Sequence, residues 1–399
     1  MARSDRRRRG GNGRWRWVLA LAVLLAVVAA LVVADRKPST PSQLLAPTTV
    51  GPTEGQAPVG PDVTETQLPV PSSMSGTLYV LGKDATLTEI DLPTGRTRSA
   101  RLTFRVEPGP TTQVVPLRDV VLIGTRRQVF MVDRATLAEQ NRLADERWIV
   151  GSPDGTWAAL VPFGAAASDV IMLDGAGIAD RQRTVRLPAG VTAVGAVSAG
   201  LVLDAAGTLQ LRPRDGTTGP TLGTGRYVAS GATALARLVC QQLTCTLHTG
   251  TTAQPDQVVL DGVNPAGSWE LGAGGVFAPR GEALAMISVA TTGSSGGAMA
   301  RVVGLGQTPP AWRSSPVVAA EPATPPALAF TADGATLVHA SSQGLVFWAV
   351  GSAPTTPGAG GGMNKADELP FATPVLALGV TAQPPPPPPP QSGPPPSFA

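Results

Sequence analysis

Few residues in this sequence can do chemistry. The chain has two histidines, His248 and His339, and two tyrosines, Tyr79 and Tyr227, which limits acid–base catalysis and metal ligation sharply. His248 ends the strand-like run CTLH, and His339 lies in the alternating run TLVHASS, where a hydrogen-bonded strand histidine is expected. The stretch GSSGG, Gly293–Gly297, matches G-x-S-x-G, but a nucleophile elbow needs a strand before it and a helix after it. Ser295 instead sits in a Gly/Ser/Thr insertion between two strand-like runs, so it receives no catalytic role. Asp174 and Asp180 in LDGAGIAD lack the oxygen-ligand spacing of a calcium loop. A P-loop, a dinucleotide fingerprint and a Cys-rich zinc framework are missing too. No catalytic residue, metal or cofactor is therefore assigned. One chemistry stays open: two carboxylates from distant segments meeting in a pocket, as glycosidases require, although nothing in the sequence selects the pair.

Cys240 and Cys245 are the only cysteines. In RLVCQQLTCTLH, two alternating strands flank a short turn, so their Cα atoms would face each other across a hairpin at disulfide distance. A bridge is expected in an oxidising compartment. The alternatives are two small buried side chains or, with His248 as the one nearby extra ligand, an incomplete zinc site.

The elements that must position these residues begin with a membrane signal. Residues 1–16 carry seven arginines against Asp5. Residues 17–34, WVLALAVLLAVVAALVVA, contain no charge and no helix breaker, and Asp35, Arg36 and Lys37 end the run. Its length suits a slightly short membrane-crossing helix. Trp15, Trp17, Arg14 and Arg16 stand where an interfacial aromatic and basic anchor belongs, which places the amino terminus in the cytoplasm and the rest outside. The competing reading is a cleavable signal peptide ending at Val32-Val33-Ala34. Both readings export the bulk of the chain, with the membrane as the expected first partner.

The formal charge of +3 is concentrated in that basic terminus, and the remainder carries −3. A mildly acidic remainder leaves no electrostatic footprint for nucleic acid. Arginine almost replaces lysine (only Lys37, Lys83 and Lys365), which with the Ala/Gly/Pro bias suggests a GC-rich bacterial genome. Residues 35–75, rich in Pro, Thr, Ser and Gly, read as a semi-extended tether. Residues 382–399, with their proline run from Pro384, read as an exposed polyproline II tail: a ligand for an aromatic groove, a wall attachment, or simply a stiff disordered end.

Between them, residues 76–381 repeat. SPDGTWAALV at 152–161 is matched by APRGEALAMI at 278–287 and TADGATLVHA at 331–340. Each is a small residue, a turn with Asp-Gly or Arg-Gly, then an alternating run. Asp154 to Arg280 is 126 residues, three units of 42, while Arg280 to Asp333 is 53, one unit lengthened by TTGSSGGA at 291–298. Strands ending in turns recur at Ile90, Val132, Leu173, Leu211 and Leu247, in steps of 42, 41, 38 and 36. MARVVGLG and GLVFWAV continue the series. A period near 40 with four short strands per unit predicts an all-β fold, a β-propeller of about seven blades, against alternatives of six or eight blades or two sandwiches. The late strand FATPVLALGV, 371–380, is expected to close the ring against GTLYVLGKDATLTEIDL. The Ser-Pro-Asp-Gly turn is expected to carry the chain from one blade to the next, with Trp157 and Leu160 beginning an inner strand. Asp154 is read as a turn residue, and Trp148, Trp157, Trp269, Trp312 and Trp348 as core fillers, any exposed one being an interface anchor.

Over about 300 residues the pattern resembles the blades of TolB-type and WD-repeat-like propellers, although no Gly-His or Trp-Asp signature is present. The resemblance implies the fold and a habit of binding on one face of the ring. The expectation is a membrane-anchored, extracytoplasmic, non-catalytic binding or scaffolding module at the cell envelope, holding a protein, peptide or wall polymer. The alternatives are an envelope hydrolase or lyase with carboxylates in the central channel, and a sensor acting through a partner.

Overall fold

The computed structural model describes residues 62–70, 73–107, 109, 112–143, 146–164, 166–177, 184–241, 244–253, 257–263, 269–290, 297–305, 312–315, 318–319, 327–341, 344–351 and 361–382. The basic terminus, the apolar run with its anchor residues, the tether up to residue 61, Ser295 and the proline tail lie outside them. Among the described residues no helix is long and apolar enough to cross a membrane.

The chain forms seven sheets, each built on four antiparallel strands and arranged as the blades of a ring, with Gly361–Gly362 added to blade 6 parallel to Trp312–Ser314. Their innermost strands, in ring order, are Val375–Thr381, Gln113–Pro116, Arg147–Gly151, Val191–Val197, Arg226–Ser230, Trp269–Phe277 and Leu328–Phe330. Six and eight blades and the two-sandwich arrangement are excluded. All the recurring anchors from Ile90 to Leu247 fall in third strands of successive blades, as do MARVVGLG and GLVFWAV.

There is no single core. Buried apolar side chains form seven clusters, one between each pair of neighbouring blades. A second strand is therefore covered on both faces, and Thr77–Gly82 and Val120–Gly124 are buried along their whole length. The outer strand Arg96–Arg101 is less covered, with Arg96 and Arg101 exposed at its ends and only Thr97 and Ala100 buried. A blade alone would leave both apolar faces in water, so stability comes from stacking neighbours and closing the ring.

Closure is made by the carboxy-terminal strand. Val375–Thr381 pairs with Thr77–Gly82 in register from Thr77↔Thr381 to Leu81↔Ala377, so blade 1 takes its innermost strand from one end of the domain and the others from the opposite end. The segment read as tether also contributes. Val63–Gln67 is a fully exposed fifth strand paired with Arg96–Ala100, Leu68 and Val70 pack into the cluster between blades 7 and 1, and Met74 is buried in it. Residues 62–70 and 73–75 of the segment read as tether are thus paired with or packed against the ring. Its polar VTETQ sequence hid a strand that needs only edge hydrogen bonds.

The role expected of Ser-Pro-Asp-Gly is also corrected. The turn at 152–156 joins the innermost to the second strand within blade 3, and Trp157 and Leu160 lie in that second strand, Trp157–Pro162. Periodicity places a turn at a fixed phase of the repeat but cannot say which two strands it connects. The three matched turns share one hydrogen-bond pattern: Ser152 N to Trp157 O, Ala278 N to Ala283 O and Thr331 N to Thr336 O, closed by Gly155 N to Ser152 O, Gly281 N to Ala278 O and Gly334 N to Thr331 O. The three glycines have φ of +66°, +75° and +75°, a region that penalises any Cβ. We call the side of the ring bearing these turns the turn face, and the opposite side, where the chain crosses between blades, the connection face. On the turn face backbone bonds also link blades, from Arg118 N to Gly155 O, Ser198 N to Ala232 O and Ala332 N to Ser75 O.

Glycines in the innermost strands set how closely blades approach. A Cβ on Gly195 would lie 2.8 Å from the Tyr227 Cε2 and closer still to its hydroxyl end, and one on Gly379 would lie 2.6 Å from Pro116 Cδ. Trp157 and Trp348 are core fillers, 1% and 4% exposed. His339 departs from expectation: it is 1% exposed, and neither ring nitrogen has a hydrogen-bond partner. It faces blade 6 from the middle of Thr336–Ser341, flanked in register by Leu328 and Val346.

Two outcomes follow from these contacts. Burial depresses the His339 pKa to about 4, below its unfolded value near 6.5, so the fold binds fewer protons than the unfolded chain between those values. Stability is then full above about pH 6.5 and falls by on the order of 3 kcal/mol as pH drops through that window towards 4; chemical denaturation of His339→Leu at a series of pH values should show this acid dependence reduced. Gly195→Ala should destabilise the ring by about 1–3 kcal/mol through overlap with Tyr227, and Tyr227→Phe, which removes the nearest atom, should recover part of that loss in a double-mutant cycle.

Candidate functional site

The site is the central channel, a space of about 670 Å³ to which every blade contributes its innermost strand. That volume lies in the range of ligand pockets. Each innermost strand has a sheet neighbour on one side only, so alternate N–H and C=O groups point into the channel as an unpaired edge. One such donor is already taken, since Ile149 N–H of blade 3 donates to Gln113 Oε1 of blade 2 at 2.8 Å.

Residues of the wall are mostly Val, Ala and Gly; of its aromatic residues Trp148 and Tyr227 are half-buried, while Phe277 and Phe330 are buried in the clusters between blades 5 and 6 and between blades 6 and 7. Trp148 is half-buried and packs against the cluster between blades 3 and 4; it is the core filler that the ring exposes. The Tyr227 hydroxyl bonds to Ser230 Oγ at 2.8 Å, and burial raises its pKa to about 12, the Ser230 bond only partly offsetting this. It is no acid–base group near neutrality.

Asp154 is the one carboxylate on the described wall, at the turn-face mouth. Its Oδ1 accepts from Thr156 N at 3.1 Å and Thr156 Oγ1 at 2.8 Å. Burial pushes its carboxyl up, but hydrogen bonds from Ser152, Thr156 and Ser198 outweigh it and hold the pKa below the ordinary carboxylate value. The Ser198 bond joins blade 3 to blade 4, so the turn aspartate also fastens the ring. Asp333 does the same for blades 7 and 1 through Ser75. The two converging carboxylates that channel hydrolysis or elimination would use are not found on the described wall.

The remaining candidates lie apart. Cys240 and Cys245 face each other in register in blade 5, Cα–Cα 3.9 Å, joined as a disulfide, with Cys245 buried and Cys240 exposed. His248 is half-buried on the same hairpin. Asp174 accepts from Ala176 N at 2.9 Å in a turn, and Asp180 lies outside the described residues, as do the side chains of Trp269 and Trp312. Among the described residues no group of three His, Cys, Asp or Glu side chains could hold a metal.

Sequence reasoning missed a polar network between blades 1 and 2. Tyr79, Glu89 and Arg98 stand in one cross-strand row. Tyr79 donates to Glu89 Oε2 at 2.7 Å, and Arg98 grips the same carboxylate through Nε and Nη2, each at 2.9 Å. Arg134 of blade 2, with no exposed surface, donates to the Tyr79 oxygen at 2.8 Å and to the carbonyls of Leu117 and Arg118 at 3.0 and 2.7 Å. Burial drives the Tyr79 pKa far up, helped by Glu89 and opposed by Arg134. The only hint in the sequence was a glutamate at an inward position of TLTEID. The network is sealed from the channel and reads as a joint rather than a site.

No protein family's sequence profile matches the chain, and no curated protein does. Solved structures similar to it include a functionally unknown protein from Desulfotomaculum acetoxidans, 14% identical, covering 73% of this chain and 99% of that one at a TM-score of 0.44. Apo AztD from Citrobacter koseri is 11% identical, with coverage of 78% and 99% and a TM-score of 0.44. Dihydro-heme d1 dehydrogenase NirN is 12% identical, with coverage of 78% and 76% and a TM-score of 0.42. At these identities and scores the likenesses carry nothing about activity, and the chain is described by its own geometry: a seven-bladed all-β propeller.

Proposed function

We propose that this protein is a membrane-anchored, extracytoplasmic propeller that binds without catalysing, and that its channel receives an extended segment of a partner at the turn-face mouth. The observation carrying this reading is the character of the wall. It offers unpaired strand edges and apolar surface with the half-buried Trp148 and Tyr227, and among the described residues no Lys, Arg or His and a single carboxylate already committed to its own turn.

Such a wall favours a neutral or cationic chain rich in amide groups, which can add to a strand edge by main-chain hydrogen bonds while side chains fill apolar hollows. An anionic ligand would meet Asp154 with no compensating cation. Anchoring and export rest on residues 1–34, with their arginines, interfacial tryptophans and uncharged run, and the Cys240–Cys245 bridge suits an oxidising compartment.

A crosslinking pull-down from envelope membranes tests the reading. The intact chain, the chain truncated before Pro384, and an Ala232→Arg/Ala382→Arg variant that narrows the channel mouth should be compared. A specific partner should be retained by the truncated form and reduced roughly tenfold by the mouth variant, as expected for a blocked pocket. A partner held equally by the mouth variant would move binding elsewhere, and turnover of wall fragments lost in Asp154→Asn would replace the binding reading with a catalytic one.

A further inference from the structure

Charge is distributed unequally over the ring. The turn face carries the aspartates of the strand-ending turns, Asp91, Asp119, Asp133, Asp154, Asp174, Asp215 and Asp333, which outnumber the arginines of those turns, Arg118, Arg214 and Arg280. The connection face of blades 1 and 2 is the reverse. Lys83 stands in the second-to-third turn of blade 1, Arg101 at the end of its fourth strand, and Arg126 and Arg127 in the second-to-third turn of blade 2. Arg105 and Arg142 lie between these points.

The crossing from blade 1 to blade 2 fixes that position. Leu102 and Val106 are buried and Phe104 half-buried, while Arg101, Thr103, Arg105 and Glu107 are exposed. Phe104 stacks on Phe130 of blade 2, centroids 3.5 Å apart, and Arg142 is the cross-strand partner of Phe130. Arg105 therefore projects beside the Arg126–Arg127 turn and the Arg142 strand. The side chains of Lys83, Arg101, Arg105, Arg126, Arg127 and Arg142 are all exposed. The carboxylates nearby are Asp62, exposed beside the Val63–Ala100 pair, Asp84, which accepts from Thr86 and Thr373, Glu139, which accepts from Thr103, and the exposed Glu107 and Glu146. Cations outnumber them on a domain whose overall charge beyond residue 16 is negative.

A second observation concerns where the chain enters. Val63 pairs with Ala100, next to Arg101, so the polypeptide arriving from residues 1–61 joins the ring at the rim bearing these cations. The carboxy-terminal strand leaves at the turn face, where Thr381 and Ala382 line the channel mouth.

We propose that the connection-face rim of blades 1 and 2 is a docking surface for an anionic lipid bilayer, which holds the propeller with its channel mouth and acidic turn face directed away from the membrane. This rests on the membrane-anchored reading above. Exposed guanidinium groups near an anionic leaflet gain attraction that fades within a Debye length of about 10 Å. The 27 residues from 35 to 61 limit how far the rim can lie from the expected anchor, which keeps it at high effective concentration beside the lipid. A surface too weak to recruit a free protein is then strong enough to orient a tethered one.

The test uses the full-length chain in nanodiscs of phosphatidylcholine alone or mixed with phosphatidylglycerol, with phenylglyoxal modification of each arginine followed by mass spectrometry. Arg105, Arg126 and Arg127 should react roughly fivefold more slowly in the anionic discs at low salt, the difference should vanish at high salt, and Arg280 on the turn face should react equally in both. In an Arg105→Gln/Arg126→Gln/Arg127→Gln variant, whose changes are confined to exposed side chains, the protection of Arg101 and Arg142 should also disappear. Equal rates in the two discs, or protection of Arg280 instead, would overturn the proposal. So would protection by a soluble polyanion in neutral discs with none from the anionic bilayer, which would assign the rim to an anionic polymer. Retention of the chain by neutral discs at high salt reports anchoring alone, so a failed anchor is distinguishable from a failed docking surface.

Discussion

The structure depends on the pairing of Val375–Thr381 with Thr77–Gly82. Each interblade cluster is stable only while both flanking blades stay in place, and the two blades at the ends of the chain have no covalent neighbour on one side. Hydrogen bonding the last strand into the first blade converts an open stack into a ring without free apolar faces. Placing the closing strand innermost protects it, because the ladder bonds it makes lie between the channel and a fully buried strand.

Blade 1 is reinforced accordingly. Its central row runs from Gly379 through Tyr79 and Glu89 to Arg98 and Glu65 across five strands. The absence of a side chain at Gly379 lets Pro116 of blade 2 approach, and Arg134 enters behind it to bind the Tyr79 oxygen. A buried ion pair of this kind contributes little net stability beside a well-packed apolar equivalent, but breaking it by removing one partner costs about 3–5 kcal/mol. Its value here is geometric: Arg134 can satisfy its donors only with blades 1 and 2 in one relative position, which fixes the register of the joint where closure occurs.

The same ring that stabilises the fold creates the channel. Innermost strands cannot be paired on their inner side without filling the centre, so seven edges remain available in a space too enclosed for a second copy's sheet to enter. Aggregation through these edges is thereby prevented while a single extended chain can still reach them. Apolar walls and committed hydroxyls leave the polar character of the described channel to backbone groups.

The sequence by itself determined the class of fold, the blade count and the phase of the repeat, because turn residues with special backbone requirements and apolar third strands that end in them leave strong local marks at 36–42-residue intervals. Only the tertiary structure decided which strands the Ser-Pro-Asp-Gly turn connects, that VTETQ is an edge strand, that His339 is buried without a partner, and that Trp148 alone among the described tryptophans lines the channel. These depend on which blade face lies opposite which, a matter of contacts between residues far apart in the chain. Periodicity reports how often a side chain is buried, and the identity of its neighbours follows only from the closed ring.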